Sequence, residues 1–215
     1  MNNFEYYNPV KIMFGKGQIA NLKKEIDPSK KVMITYGGGS IKNNGVYDQV
    51  IEALSDYKLI EFGGIESNPQ YNTLMQAVKL AQDEGIEFLL AVGGGSVLDA
   101  TKFISAAIHH DTDPWNILSK REEIKETTPV GAILTLPATG SEMNCFAVIS
   151  RGKDKLGFGH PSLYPKFSIL DPDSVKDFHT YRLEFEESSV YKNSSQPSYS
   201  LIDFTSSDTL INNKK

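Results

Sequence analysis

The sequence contains the tetrapeptide GGGS twice, at Gly37–Ser40 and at Gly93–Ser96, each time directly after an apolar run. Glycine has no side chain, so a ligand can approach the backbone closely and positive φ angles cost little. A helix that follows such a turn begins with unpaired N–H groups and a partial positive charge, which suit phosphate. Two such turns indicate a phosphate-bearing ligand. The alternative is that each is only a tight strand–helix connection with a serine cap.

The elements around these turns alternate between strand and helix patterns, which predicts an α/β fold with a doubly wound parallel sheet. Both GGGS segments then follow the carboxyl ends of strands, where open parallel sheets bind ligands. The predicted strands are Phe4–Tyr7, Val10–Phe14, Lys31–Tyr36, the segment KLIEFGG, Phe88–Val92 and a strand ending at Pro137. The predicted helices begin at Gly15, lie near Val46–Leu54, run from after Pro69 to Gly85, and run from Val97 to about Ile108.

Composition restricts the classes of function. The net charge of −5 argues against a nucleic-acid partner, which would require a basic surface. No apolar run approaches the roughly 18 residues of a membrane span. A single cysteine, Cys145, cannot form an intrachain disulfide, which favours the reducing cytoplasm. The chain is therefore predicted to be a cytoplasmic protein that acts on a small molecule.

Other motifs carry little chemistry. The stretch GKGQIA, from Gly15 to Ala20, matches a dinucleotide-binding pattern, but its strand is short and the acidic partner is poorly placed. Asp99 has a purely structural interpretation as an acidic residue near a helix N-terminus. The sequence has no nucleophile elbow, Walker loop or H-E-x-x-H motif. No catalytic residue is predicted.

The segments ITYGGGS, VGGGSVLDATK, TLPATGSE, VIS and LDP resemble the iron-containing alcohol dehydrogenase family in order and spacing. The segments YNPVKIMFGKGQI and GGIESNP resemble its butanol dehydrogenase and broad NADPH-dependent aldehyde reductase branch. The resemblance runs from about Phe4 to Asp173. It implies a Rossmann-like nucleotide-binding domain of the dehydroquinate synthase-like fold, followed in the family by an all-helical metal domain.

The resemblance also implies the cofactor site. By the family's pattern the second turn would wrap the pyrophosphate, and the first would surround the adenosine ribose. NADP(H) is favoured over NAD(H), because this chain has Gly39 where NAD-preferring members commonly have an acidic residue, and Ser40 with Lys42 could hold a 2′-phosphate. The matching positions of this chain are Gly37, Gly38, Gly39, Ser40, Lys42, Asn68, Gly93, Gly94, Gly95, Ser96, Asp99, Thr135, Thr139, Ser141 and Lys155.

The family's divalent metal, iron or zinc, requires an aspartate and a histidine four residues later, then two more histidines. The family's spacing places the first pair near Ser189 and Asn193, and neither matches. Residues 176–215 are rich in Ser, Asn and Asp, as is typical of a disordered tail or a shifted reading frame. We therefore expect a dinucleotide-binding domain at 1–175, an atypical polar tail at 176–215, and no metal ligands or helical metal domain.

The resemblance implies an oxidoreductase that transfers hydride between a nicotinamide cofactor and a primary alcohol or aldehyde, and that pairs as a homodimer through its N-terminal strands. One alternative is a nucleotide-binding module that has lost the metal site and is catalytically inactive. Another is a related glycerol dehydrogenase or metal-dependent lyase, which the wording of TLPATGSE and GGGSVLD disfavours. The particular aldehyde or alcohol is not determined.

Overall fold

Six parallel strands form the sheet of this protein in the computed structural model, which describes Glu5 and residues 7–175. The strands are β1 Lys11–Phe14, β2 Lys31–Tyr36, β3 Lys58–Phe62, β4 Phe88–Gly94, β5 Val130–Leu136 and, after an excursion, β8 Phe167–Leu170. Their order across the sheet is β1-β8-β5-β4-β2-β3. The excursion is an antiparallel hairpin of β6 Phe146–Arg151 and β7 Asp154–Gly159.

Helices connect the strands. They are α1 Ser40–Asn43, α2 Val46–Ala53, α3 Tyr71–Glu84, α4 Gly95–Ala107 and α5 Trp115–Ser119, with 3₁₀ helices at Gln18–Lys24, Ser141–Met143, Pro161–Leu163 and Pro172–Val175. α3 ends at Gly85, which adopts the left-handed conformation with φ of 62° that suits glycine. No helix among the described residues is long and apolar enough to cross a membrane.

The core has two layers, one on each face of the sheet. Side chains alternate along β4, so Leu89 and Ala91 pack against α3 and α4, whereas Leu90 and Val92 pack against α2 and the first 3₁₀ helix. A strand buried in this way on both faces must be apolar at every position, which is the pattern seen in the sequence. The predicted doubly wound parallel α/β fold is confirmed.

Some strands and helices begin or end at residues other than those predicted. β4 continues through Gly93 and Gly94, since both pair with β5, and α4 then begins at Gly95 rather than at Val97. The predicted strand at 4–7 is not confirmed: Glu5 and Tyr7 lie outside any strand, and its other residues are not described. The β6–β7 hairpin was not predicted. The polar tail at 176–215 lies outside the described residues, so the two-domain division stays a prediction.

Candidate functional site

The second glycine turn, Gly93–Ser96, is enclosed by its neighbours. A Cβ on Gly93 would lie 2.6 Å from Val97 Cγ2, and one on Gly95 would lie 2.7 Å from Thr139 Oγ1. A Cβ on Gly94 would lie 3.2 Å from Leu136 Cβ. The glycines are needed here because helix α4 and the end of β5 approach the backbone closely. The bare N-terminus of α4, a helix of 13 residues, thus faces the carboxyl edge of the sheet.

Ser96 does not cap α4. The residue before the helix is Gly94, and no side chain caps that end. The Ser96 hydroxyl instead donates to the backbone oxygen of Ser67 at 2.5 Å. This bond fastens the loop after β3 to the second turn, and it brings the neighbouring Asn68 to the predicted site. The serine cap of the alternative interpretation is therefore absent at the second turn, and the role of Asn68, which follows Ser67 in the sequence, stays a prediction.

Asp99 joins α4 to the loop between β5 and β6. Its carboxylate accepts hydrogen bonds from the Ser141 hydroxyl at 2.7 Å and from the Val148 N–H at 3.0 Å. Burial raises the pKa of Asp99 above its ordinary value, although these bonds and Lys102, followed by Lys155, act in the opposite direction. The structure thus brings Asp99 and Ser141 together, and their polar groups are engaged with each other.

Lys102 was missed by the sequence analysis. Its side chain is completely buried, and its ammonium group reaches four oxygens: Ser141 O at 2.7 Å, Ser141 Oγ at 2.8 Å, Phe146 O at 2.9 Å and Asn144 Oδ1 at 3.1 Å. Burial lowers the pKa of Lys102 to about 8. The sequence signal that could have identified it is a lysine within an otherwise mostly apolar run. Its neighbours Ala100, Thr101, Phe103 and Ile104 are all buried on the same helix.

The remaining predicted residues on this side are spread around the start of α4. Thr135 lies on β5 between the residues that oppose Gly93 and Gly94. Thr139 is exposed and lies over Gly95. Lys155, on β7, is exposed and contributes to the electrostatic environment of Asp99. Thr135 and Thr139 therefore lie beside the second turn, whereas Lys155 is linked to it only through Asp99.

The first glycine turn, Gly37–Ser40, is open. No atom lies within 4 Å of the position that a Cβ would take on Gly38 or Gly39. Gly39 adopts φ of 95°, in the left-handed region, and precedes the four-residue α1. Val97 Cγ2 lies 3.7 Å from the Cβ position of Gly37, and the same atom contacts the second turn. The two turns are therefore neighbours at one edge of the sheet, as β2 and β4 are adjacent strands.

Lys42 belongs to an aromatic and acidic cluster beside the first turn. Its ammonium nitrogen lies 3.0 Å from Glu61 Oε2, and 5.0 Å and 4.5 Å from the ring centroids of Tyr36 and Tyr47. Both tyrosine hydroxyls also donate to Glu61. Hydrogen bonding with Tyr36, then with Glu61, raises the pKa of Lys42. Lys42 is a cation at neutral pH, but it is already paired.

The charge state of Glu61 follows from the same contacts. Burial alone would raise the pKa of this carboxyl, yet the hydrogen bonds from Tyr47, Lys42 and Tyr36 together lower it below its ordinary value. Glu61 is therefore ionised beside the site predicted to hold a 2′-phosphate, and sequence reasoning did not identify it.

The described residues outside the two turns offer little further chemistry. Among Glu5 and residues 7–175, no group of three His, Cys, Asp or Glu side chains is arranged to hold a metal ion, and Ser189 and Asn193 lie outside those residues. A depression of about 180 Å³, lined by His109, His110 and Glu122 among others, lies at the opposite end of α4 from the glycine turns. It has no contact with the predicted site.

The sequence of the chain is similar to that of known enzymes. It is 55% identical over 177 residues to the NADPH-dependent aldehyde reductase YqhD of Escherichia coli strain K12. It is 49% identical over 177 residues to the probable NADH-dependent butanol dehydrogenase 1 of Bacillus subtilis strain 168. Each alignment covers 80% of this chain and 46% of the relative, so the chain spans about half the length of the curated relatives it matches.

The fold is also similar to solved structures. It matches the crystal structure of E. coli YqhD with a TM-score of 0.79 and 52% identity, over 83% of this chain and 47% of that one. The NADH-dependent butanol dehydrogenase A of Thermotoga maritima matches with a TM-score of 0.77 and 41% identity, over 81% and 46% of the two chains. The iron-containing alcohol dehydrogenase family matches residues 9–172. The chain therefore belongs to the iron-containing alcohol dehydrogenase family.

Proposed function

We propose that the two glycine turns bind NADP(H), and that the chain serves the transfer of hydride between the nicotinamide and a primary alcohol or aldehyde. The observation that supports this most strongly is the adjacency of the turns. Val97 Cγ2 lies close to the Cβ positions of Gly37 and Gly93, the first turn has open space over Gly38 and Gly39, and the second leads into a helix N-terminus that no side chain caps. A dinucleotide carries a diphosphate between two ribosides, and two neighbouring turns at the carboxyl edge of a parallel sheet could bind separate parts of it.

Each turn has a separate part in this proposal. Gly94, Gly95 and Ser96 would hold the pyrophosphate through N–H groups at the start of α4. The first turn would surround the adenosine ribose, because the space over Gly38 and Gly39 is open. Thr139, which is exposed over Gly95, would face the nicotinamide side. When bound, the cofactor supplies the hydride, and the protein supplies orientation.

The proposed preference for NADP(H) rests on Gly39, Ser40 and Lys42. No acidic side chain occupies position 39 to bind the ribose hydroxyls, and Lys42 is a cation close to the turn. Glu61 acts against this preference, because its carboxylate pairs with Lys42 and would repel a 2′-phosphate. NADP(H) is therefore preferred only if Lys42 can leave Glu61 for the phosphate.

A second candidate function is nucleotide binding without catalysis. The described residues offer no ligand set for the divalent metal that the family uses, so we assign no step of the reaction to a metal. This alternative is tested with the purified 215-residue chain and butanal as substrate. The alternative predicts no NADPH consumption, with or without added iron or zinc, and robust metal-dependent turnover would refute it.

The cofactor site itself is tested by fluorescence titration of NADPH against the chain and against Ser96→Asp. The new carboxylate would lie at the pyrophosphate, so affinity should fall at least about tenfold through like-charge repulsion. The matched control is Ser119→Asp at the end of α5, which is an exposed serine outside both turns. Equal affinity of the wild type and Ser96→Asp would remove the second turn from the site.

We also propose that the chain pairs as a homodimer through its N-terminal strand. β1 lies at the edge of the sheet, and it exposes Ile12 and Phe14, the latter by 63%. Exposed apolar side chains on an edge strand favour association. Sedimentation equilibrium of the wild type and of Phe14→Lys tests this: the wild type should be a dimer, and the variant should dissociate more readily.

A further inference from the structure

We propose that Lys102 is a positioning residue, whose side chain holds the segment 140–146 against α4 and so aligns the turn that carries Thr139 beside the second glycine turn. This inference rests on the proposed function, because the alignment matters only if that turn binds the cofactor. It concerns a residue that does not itself reach the surface of the site.

The hydrogen bonds of Lys102 span the whole segment. They reach Ser141 at one end, Phe146 at the other and Asn144 between them, all at 2.7–3.1 Å. Asn144 in turn donates to the Gly140 oxygen at 2.9 Å and accepts from the Phe146 N–H at 2.9 Å. A single side chain therefore fixes the two ends of the segment relative to one point on α4.

The hydrogen bonds of Lys102 continue through Ser141 to Asp99. Lys102 donates to Ser141 Oγ, and the Ser141 hydroxyl donates to Asp99. Asp99 accepts in addition from Val148 on β6. The chain of donors starts on α4, passes through the segment and returns to α4, so the orientation of Ser141 and of the preceding turn is determined. Thr139 Oγ1 then lies over Gly95, at the predicted site.

The stability of the folded chain does not by itself explain why residue 102 is a lysine. Taking an ammonium group out of water is costly, and burial is the main cause that lowers the pKa of Lys102 to about 8. A methionine of similar length would avoid that cost and pack with the apolar side of α4. It would, however, leave the Ser141 and Phe146 carbonyl oxygens without their donor, and the segment without its anchor.

The first test uses Cys145, the only cysteine in the sequence, as a reporter. It is buried between Asn144 and Phe146, so its alkylation rate reports opening of the segment. At about pH 7, Lys102→Met should raise the rate by about tenfold and weaken NADPH binding by about tenfold, with the thermal midpoint within a few degrees of wild type. The control Lys79→Met, at an exposed lysine on α3, should leave all three values unchanged.

A second test uses the wild-type chain, so its result does not depend on whether a variant folds. In the closed segment Lys102 has a pKa of about 8, whereas a released lysine returns to its ordinary value of 10.5. Protons therefore favour the open state, and opening becomes harder as pH rises through 8. Hydrogen exchange of the 140–146 amides in the wild type, corrected for intrinsic rates, should show about tenfold more protection at pH 9 than at pH 7.

The groups that face Lys102 are Asp99 from α4, and Glu142 and Cys145 from the segment, while Lys155 of β7 faces Asp99. The variant Cys145→Ser must show the same rise in protection, which separates the effect of Lys102 from that of the neighbouring thiol. Unchanged alkylation in Lys102→Met, or protection independent of pH in the wild type, would overturn the positioning role. A wild-type chain that fails to bind NADPH would overturn the proposed function instead, while alkylation and exchange still decide the role of Lys102.

Discussion

The first GGGS segment leads into a helix of four residues and lies open, whereas the second leads into a helix of 13 residues and is enclosed. In the second, Val97, Leu136 and Thr139 occupy the space that side chains on the glycines would need. In the first, space is available at Gly38 and Gly39, and only Gly39 has a backbone angle that disfavours other residues. Glycine is thus needed for different physical reasons in the two tetrapeptides, mainly crowding at Gly93 and Gly95 and conformation at Gly39, although Gly37 also lies close to Ile65 O.

This difference has a consequence for the ligand. The second turn is rigid, because its backbone is packed against β5 and α4, and a rigid set of N–H groups suits a pyrophosphate. The first turn is bordered by the cluster of Lys42, Glu61, Tyr36 and Tyr47, whose exposed charges can rearrange. Cofactor preference is therefore expected to be set at the first turn, and cofactor anchoring at the second.

The largest expected effect is the loss of stability when a side chain is added at the crowded second turn, compared with the open space at Gly38. Gly93→Ala places a Cβ 2.6 Å from Val97 Cγ2, so the free energy of unfolding should fall by about 1–3 kcal/mol through overpacking. Gly38→Ala enters open space at a position without a positive φ, and should change it by less than about 0.5 kcal/mol. Urea denaturation measures both. Equal losses at the two positions would contradict the contrast between the turns.

A smaller effect is expected where conformation is the requirement. Gly39→Ala meets no neighbouring atom, but its φ of 95° is unfavourable for alanine. The loss should be about 1 kcal/mol, again by urea denaturation, with Gly38→Ala as the adjacent control. Gly39→Asn, which tolerates positive φ better, should recover part of this loss. If alanine and asparagine behave alike, backbone conformation is not what position 39 requires.

The smallest effect concerns charge at the first turn. Glu61→Gln removes the partner of Lys42, so NADPH should bind about threefold more tightly while NADH is little changed. Lys42→Met should weaken NADPH alone. Parallel titrations with the two cofactors measure this, and equal changes for NADPH and NADH would show that the cluster does not face the 2′ position.

The same variant has a pH signature. The pKa of Glu61 is lowered on folding, so its contribution to stability is present above its ordinary pKa of 4.5 and is lost as pH falls through the lower folded value. The stability difference between wild type and Glu61→Gln should therefore shrink on acidification below about pH 4.5. A difference that is constant with pH would mean that the carboxylate is not held by the tyrosines and Lys42.

Much of the fold could be predicted from local pattern. β2 was predicted with its observed bounds, Lys31–Tyr36, because its buried centre at 32–34 is apolar and a glycine turn follows directly. The end of α3 at Gly85 followed from glycine's tolerance of the left-handed region. The hairpin of β6 and β7 was missed, since its alternating pattern is interrupted by Gly157 and Gly159 and lies outside the main sheet.

The amino-acid sequence by itself determined the alternation of strand and helix, the edge at which the glycines lie, and the family. Only the tertiary structure decided that Ser96 bonds to Ser67, that Lys42 is paired with Glu61, and that Lys102 is buried under the 140–146 segment. These partners are 29, 19 and 39 residues apart for the bonds to Ser67, Glu61 and Ser141. Local propensity contains no information on such pairs, because strand order and packing bring them together.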